Sequence, residues 1–93
     1  MSQELNEKLR NECETALVSL QKINDPDTVE LQSKIEWCLG SYDFDKNPEG
    51  LHEFGIIALQ TLKDIKTERP RKVNKKVIEG LEKSIQSFEM IMN

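Results

Sequence analysis

The sequence is poor in the residues that carry most chemistry. It holds one histidine, two cysteines, one tryptophan, one tyrosine and three phenylalanines among 93 residues. One histidine, His52, cannot supply the two Glu-x-x-His pairs of a di-iron bundle. No Gly-rich nucleophile turn ties a serine or cysteine to it, so no hydrolase motif is present. A zinc site from Cys13, Cys38 and His52 would lack every short-range ligand pair such as Cys-x-x-Cys. The sequence therefore assigns no catalytic, cofactor-binding or metal-ligating residue, and the expectation is a chain that is not an enzyme.

Other shortages limit the architecture. Three prolines and four glycines leave little room for long loops. No apolar run approaches the ~20 residues needed to cross a membrane. The first residues, Met1 to Glu7, have neither a basic start nor an apolar core, so no secretory signal is read there. Cys13 and Cys38 fall at core-type helical positions. Without a signal they read as reduced thiols and not as a disulfide, which places the chain in the cytoplasm. Charged residues make up 32% of the chain and aromatics 5%, a composition typical of a soluble helical domain.

What the sequence does have is helical periodicity. The longest apolar run, Phe54-Gly55-Ile56-Ile57-Ala58-Leu59, cannot alternate as a half-buried strand would. At about 100° per residue, Leu51, Phe54, Gly55, Ala58, Leu62 and Ile65 share one side of a helix. Ile56 and Ile57 widen that face on opposite flanks, so the spacing predicts a central helix packed on more than one side. Gly55 costs roughly 1 kcal/mol relative to alanine inside a helix, which is reasonable where a neighbouring helix comes close.

Three further helices follow the same period. Leu5, Leu9, Cys13, Ala16, Leu17, Leu20 and Ile23 form the seam of the first. Leu31, Ile35, Cys38, Leu39 and Tyr42 form that of the second. Val77, Leu81, Ile85, Phe88 and Met92 form that of the fourth, with Val73 and Ile91 alongside. Each proline stands where a helix begins: Asp25-Pro26 and Asn47-Pro48 read as a cap followed by a first-turn proline, and Arg69-Pro70 breaks the chain again. The expected helices cover residues 2–23, 26–42, 48–67 and 70–92, the last beginning at Pro70 or at Asn74. A five-residue loop, 43–47, is expected after the second helix. Short connections favour antiparallel neighbours, so the predicted fold is all-α: a single-domain, antiparallel up-down-up-down four-helix bundle. Residues 37–42 contain the residue types of a tetratricopeptide repeat without its spacing, and there is no internal repeat.

Asp43, Asp45 and Asn47 occupy the first, third and fifth positions of a calcium-loop pattern. Pro48 replaces its glycine and Phe54 its final glutamate, so the segment reads as a polar turn with a helix cap.

Charge is unevenly spread. Residues 1–62 hold five Lys/Arg against twelve Asp/Glu, and residues 63–93 hold eight against five. Lys63, Lys66, Arg69, Arg71, Lys72, Lys75 and Lys76 cluster about the third junction, with only Asp64 and Glu68 between them. Such a cluster is a candidate for phosphate or nucleic acid, or it balances the acidic first half of the chain. The whole chain is net −4 and lacks nearby aromatics for stacking bases, so nucleic acid is the second reading.

The first reading comes from apolar residues off the helical seams. Val18, Val29, Trp37, Ile56 and Met90 are too many to ignore if they gather in one place. They suggest a small protein-interaction module, with another protein or a second copy of the chain as partner.

Overall fold

A computed structural model describes the backbone of residues 2–92 and the side chains of residues 4–91. The expectation that Met92 closes the last seam falls outside the described side chains. The fold is an all-α, antiparallel up-down-up-down bundle of α1 (Ser2–Ile23), α2 (Val29–Asp45), α3 (Glu49–Glu68) and α4 (Lys75–Met92). Among the described residues there is no strand.

The bundle is flattened, 37 × 23 × 16 Å along its principal axes. Helix α1 packs on α2, α3 and α4, and α3 packs on α2 and α4. The cross-section is thus a rhombus with α1 and α3 on the short diagonal and α2 and α4 at the far corners. The core is built from the predicted seams. Leu9, Ala16, Leu20, Ile35, Tyr42, Leu51, Leu62 and Leu81 are all but fully enclosed.

Gly55 shows why the short diagonal is short. It is buried, and a Cβ there would lie 3.4 Å from Cys13 Sγ and 3.7 Å from Ile85 Cδ1. With no side chain in the way, α1 approaches α3 closely enough for the Cys13 thiol to donate to the Leu51 carbonyl at 3.6 Å. Burial pushes the Cys13 thiol up to about 12, so it is a protonated, packed group and a poor nucleophile.

The turns follow the expected chemistry with three corrections. Asp25 accepts the Asp27 N–H at 2.9 Å and caps a short 3-10 turn, Pro26–Thr28, and α2 starts only after it. At the second junction α2 does not stop at Tyr42 but continues to Asp45, so the expected five-residue loop shrinks to 46–48. The extra turn is pinned to α1. Arg10 grips both carboxylate oxygens of Asp43, at 3.0 and 2.9 Å, and the Tyr42 hydroxyl donates to Glu7 Oε2 at 2.7 Å. The helix then ends on Lys46 in the left-handed region, φ 61°, whose N–H returns to the Tyr42 carbonyl. Lysine seldom takes that conformation, which is why the ending is hard to read in the sequence.

The third correction concerns α4. It begins at Lys75, after the Asn74 side chain caps the Lys76 N–H at 2.8 Å. The residues before it form a 3-10 turn, Pro70–Lys72, and an extended Val73 that is buried in the core. The Lys66 ammonium holds this junction by donating to the Pro70 and Val73 carbonyls at 3.3 and 3.1 Å. Along α4, Ile78 joins Leu81, Ile85 and Phe88 in the core, Val77 is only partly covered and Ile91 is exposed. Adjacent apolar residues at 77 and 78 leave the seam ambiguous by one position, 100° of rotation.

Candidate interaction surface

Helix α2 differs from the others in what it turns outward. Its inner side supplies Ile35, Cys38, Leu39 and Tyr42 to the core. On the opposite side Trp37 and Phe44 stand seven residues apart, two turns along one stripe, and they are 72% and 91% exposed. These are two of the five aromatic residues in the chain. Phe44 escapes the sequence reading because the spacing places it in the expected loop 43–47. The longer helix carries it onto the Trp37 stripe.

The stripe borders the α2–α3 seam. On one side of Trp37 a depression is lined by Glu30, Ser33, Lys34 and Phe54. On the other side a second one is lined by Ser41, Asp45, Glu49 and Gly50, with Cys38 as its floor. Gly50 is fitted to that floor, since a Cβ there would come within 2.9 Å of Cys38 Sγ. Phe54 is partly exposed and Ile57, one turn further along α3, is 44% exposed. As expected of a central helix, α3 packs on more than one side, against α1, α2 and α4, but Ile56 and Ile57 on its flanks both remain in contact with solvent.

The five candidate residues do not share one face. Trp37 borders the α2–α3 seam. Val18 instead lines a groove between α1 and the third junction, with Arg71, Lys72 and Val77. Val29 is the exposed first residue of α2, about 80° around the helix from Trp37. Ile56 lies on the flank of α3 that carries His52, away from Phe54. Met90, 79% exposed, projects from the outer side of α4. The surface that the packing brings together is therefore Trp37 with Phe54, while Phe44 stands two turns along α2 from Trp37 and Ile57 one turn along α3 from Phe54, lining neither depression. The signal for it was present as unbroken apolar and aromatic residues, but only the α2–α3 packing brings them together.

Charge around this surface is one-sided. Glu30, Asp45 and Glu49 have no cationic partner among the described residues. Lys34, the lysine beside them, lies over the Phe54 ring at 5.6 Å. Residues 29–57 hold six Asp/Glu against two Lys.

The basic junction is organised differently from a single cluster. Lys63 pairs with Glu82 at 2.9 Å, Arg69 with Asp25 at 2.8 Å and Lys75 with Glu79 at 3.7 Å. Lys66 is held by backbone carbonyls. Arg71, Lys72 and Lys76 have no carboxylate partner among the described residues. Arg71 and Lys72 line the Val18 groove together with Lys22.

The remaining polar candidates have structural settings. His52 Nε2 meets Glu89 Oε2 at 2.9 Å and its ring lies against Phe88, centroids 5.1 Å apart, linking α3 to α4. Glu49 stands three residues before His52, the spacing of a helical Glu-x-x-His pair, but it lines the Trp37 depression instead. Asp43 is held by Arg10. Asp45 and Asn47 accept backbone N–H groups of the turn, from Asn47 at 2.9 Å and Glu49 at 3.1 Å. Among the described residues no three His, Cys, Asp or Glu side chains gather as a metal site would require. Among the described residues no helix is long and apolar enough to cross a membrane.

Comparison of the chain with protein-family models, with curated proteins and with solved structures returned no match.

Proposed function

We propose that this chain is a non-enzymatic protein-binding module that docks its partner on the outer side of α2 and the adjoining flank of α3. One observation carries the reading: Trp37 and Phe44 share a stripe that the bundle leaves in water. Exposed aromatics of this size are the usual anchors of an interface, because each buries a large rigid surface at small entropic cost. Rings with no role in the core need another reason to be there. In this reading the bundle is a rigid frame for α2, and the module acts in the cytoplasm.

The test is co-purification of the full chain from its native cell, wild type against Trp37→Ser/Phe44→Ser. Both side chains are exposed, so the double variant keeps its helical circular dichroism. A protein that travels with the wild type and is lost from the variant supports the reading. Equal recovery with both removes it.

A second reading, anion binding at the third junction, rests on Arg71 and Lys72 beside Lys22, and on Lys76, the first two and the last without a carboxylate partner among the described residues. Titration with a single-stranded oligonucleotide at low salt tests it. Binding that disappears when Arg71, Lys72 and Lys76 are made neutral supports it, and no binding at all excludes it.

A further inference from the structure

We infer that the occupant of the α2–α3 surface is a basic amphipathic helix of a partner protein, seated along the seam as a fifth rod. The inference rests on the docking surface just proposed and adds its ligand class. Two observations lead to it.

The first is shape. The depressions on either side of Trp37 run along the seam between two antiparallel helices. The side chains that line them span Glu30 to Asp45 on α2, about 22 Å of helix at 1.5 Å per residue. A trough between two helices is the surface on which a third helix packs, with its apolar residues at i, i+3 or i+4 and i+7. Phe54 on one wall and Trp37 on the other offer apolar contacts, and the exposed Ile57 and Phe44 extend the apolar surface beyond them along α3 and α2.

The second is charge. Glu30, Asp45 and Glu49 border the trough without a cation of their own, and the nearby Lys34 is turned onto Phe54. Uncompensated carboxylates around an apolar strip favour a partner with Lys or Arg flanking its apolar stripe. They disfavour a second copy bound through the same surface. In an antiparallel pairing about α2, Glu30 of one copy would face the Asp45 end of the other, and like charges would meet.

The chain supplies its own reporter, since Trp37 is the sole tryptophan and stands in the trough. The probe is a Leu/Lys amphipathic peptide of about 18 residues, matched to the length of α2. A Leu/Glu peptide with the same apolar pattern is the control, and indole emission is the readout. The inference expects a saturable shift of emission to shorter wavelength with the basic peptide only, weakening as salt rises. Phe54→Ala, with its fold checked by circular dichroism, weakens it by about tenfold or more, the loss of one buried anchor. Glu30→Gln/Glu49→Gln weakens it and flattens its salt dependence, while Glu79→Gln on α4, paired with Lys75, leaves it unchanged. Equal shifts with both peptides, or none with either, overturn the inference. So does a shift with protein concentration alone, together with a dimer in sedimentation. If the peptides fail but a cellular partner is still lost from Trp37→Ser/Phe44→Ser, only the ligand class is wrong. If that partner is also retained, the docking surface itself is wrong.

Discussion

The Cys13 thiol of α1 donates to the Leu51 carbonyl of α3 at 3.6 Å, in the turn that contains Gly55. A sulfhydryl reaching a helix backbone requires that the helix present no side chain there, and Gly55 provides the gap. This contact sets the short diagonal of the bundle, and α2 is left at an outer corner by the same geometry.

Substitutions at Gly55 measure how tight that approach is. A Cβ would sit at ordinary contact distance from Cys13 and Ile85, so Gly55→Ala changes stability by less than about 1 kcal/mol, its helix propensity offsetting mild crowding. Gly55→Leu forces the two helices apart and costs about 2 kcal/mol or more. Urea denaturation followed by circular dichroism distinguishes the two. A large loss with alanine would mean a closer approach than the structure has.

Tyr42 links the end of α2 to α1. Its ring is fully buried while its hydroxyl donates to the partly exposed Glu7. Tyr42→Phe keeps the packing and removes the bond, so the expected cost is about 1 kcal/mol. Burial, with Glu7 second, pushes the Tyr42 hydroxyl up to about 12 from its ordinary 10. A group whose folded value is raised contributes stability that is present below the unfolded value and lost above it. Thermal midpoints therefore fall as pH rises beyond 10, and less steeply in Tyr42→Phe. Cys13 adds to the fall from about pH 9 upward in both proteins.

At the acid end the sign reverses. The Tyr42 hydroxyl, with Lys46 behind it, holds Glu7 below its ordinary 4.5. The Asp27 N–H and then Arg69 hold Asp25 below 3.8, and Arg10 holds Asp43 below 3.8. Lowered carboxylates contribute stability above their unfolded values and lose it as pH falls through the folded ones. The thermal midpoint should be level from pH 7 to 5 and then decline below about pH 4.5. Asp43→Asn should shallow the decline. All three groups are near solvent, so each contribution is small and the ion pairs weaken with salt. A midpoint that stays level down to pH 2 would contradict these contacts.

Ser84 is buried in α4, and its hydroxyl has no partner among the described residues. An unsatisfied buried hydroxyl opposes folding, and alanine is the better helix former. Ser84→Ala is expected to raise stability by about 0.5–1 kcal/mol, read as a higher urea midpoint at unchanged slope. A loss of stability would show that the hydroxyl is bonded after all.

Most of the fold was legible in the sequence because apolar period and proline placement agree. Leu9, Leu20, Ile35, Leu62 and Leu81 were on the predicted seams, and each proline marks the start of a helical turn. The end of α2 was not legible, since it depends on Arg10 and Glu7 some 35 positions away and on a lysine in a conformation that favours glycine. That one misplaced boundary hid Phe44. The proposed docking surface was legible only as separate residues. Trp37 stood out by lying off its seam, whereas Phe54 and Ile57 belong to a run that reads as core until the register of α2 against α3 is known. The basic junction was visible in composition, but its intramolecular pairing with Asp25, Glu79 and Glu82 was not.

The central claim is that the bundle holds the outer aromatic side chains of α2 without using them. The most direct measurement is the unfolding free energy of Trp37→Ser/Phe44→Ser against wild type, in urea, by circular dichroism. Exposed positions free of packing predict a difference within about 0.5 kcal/mol. A loss of about 3 kcal/mol or more, as when buried aromatics are truncated, would show that these rings belong to the core and that the surface is not free to meet a partner.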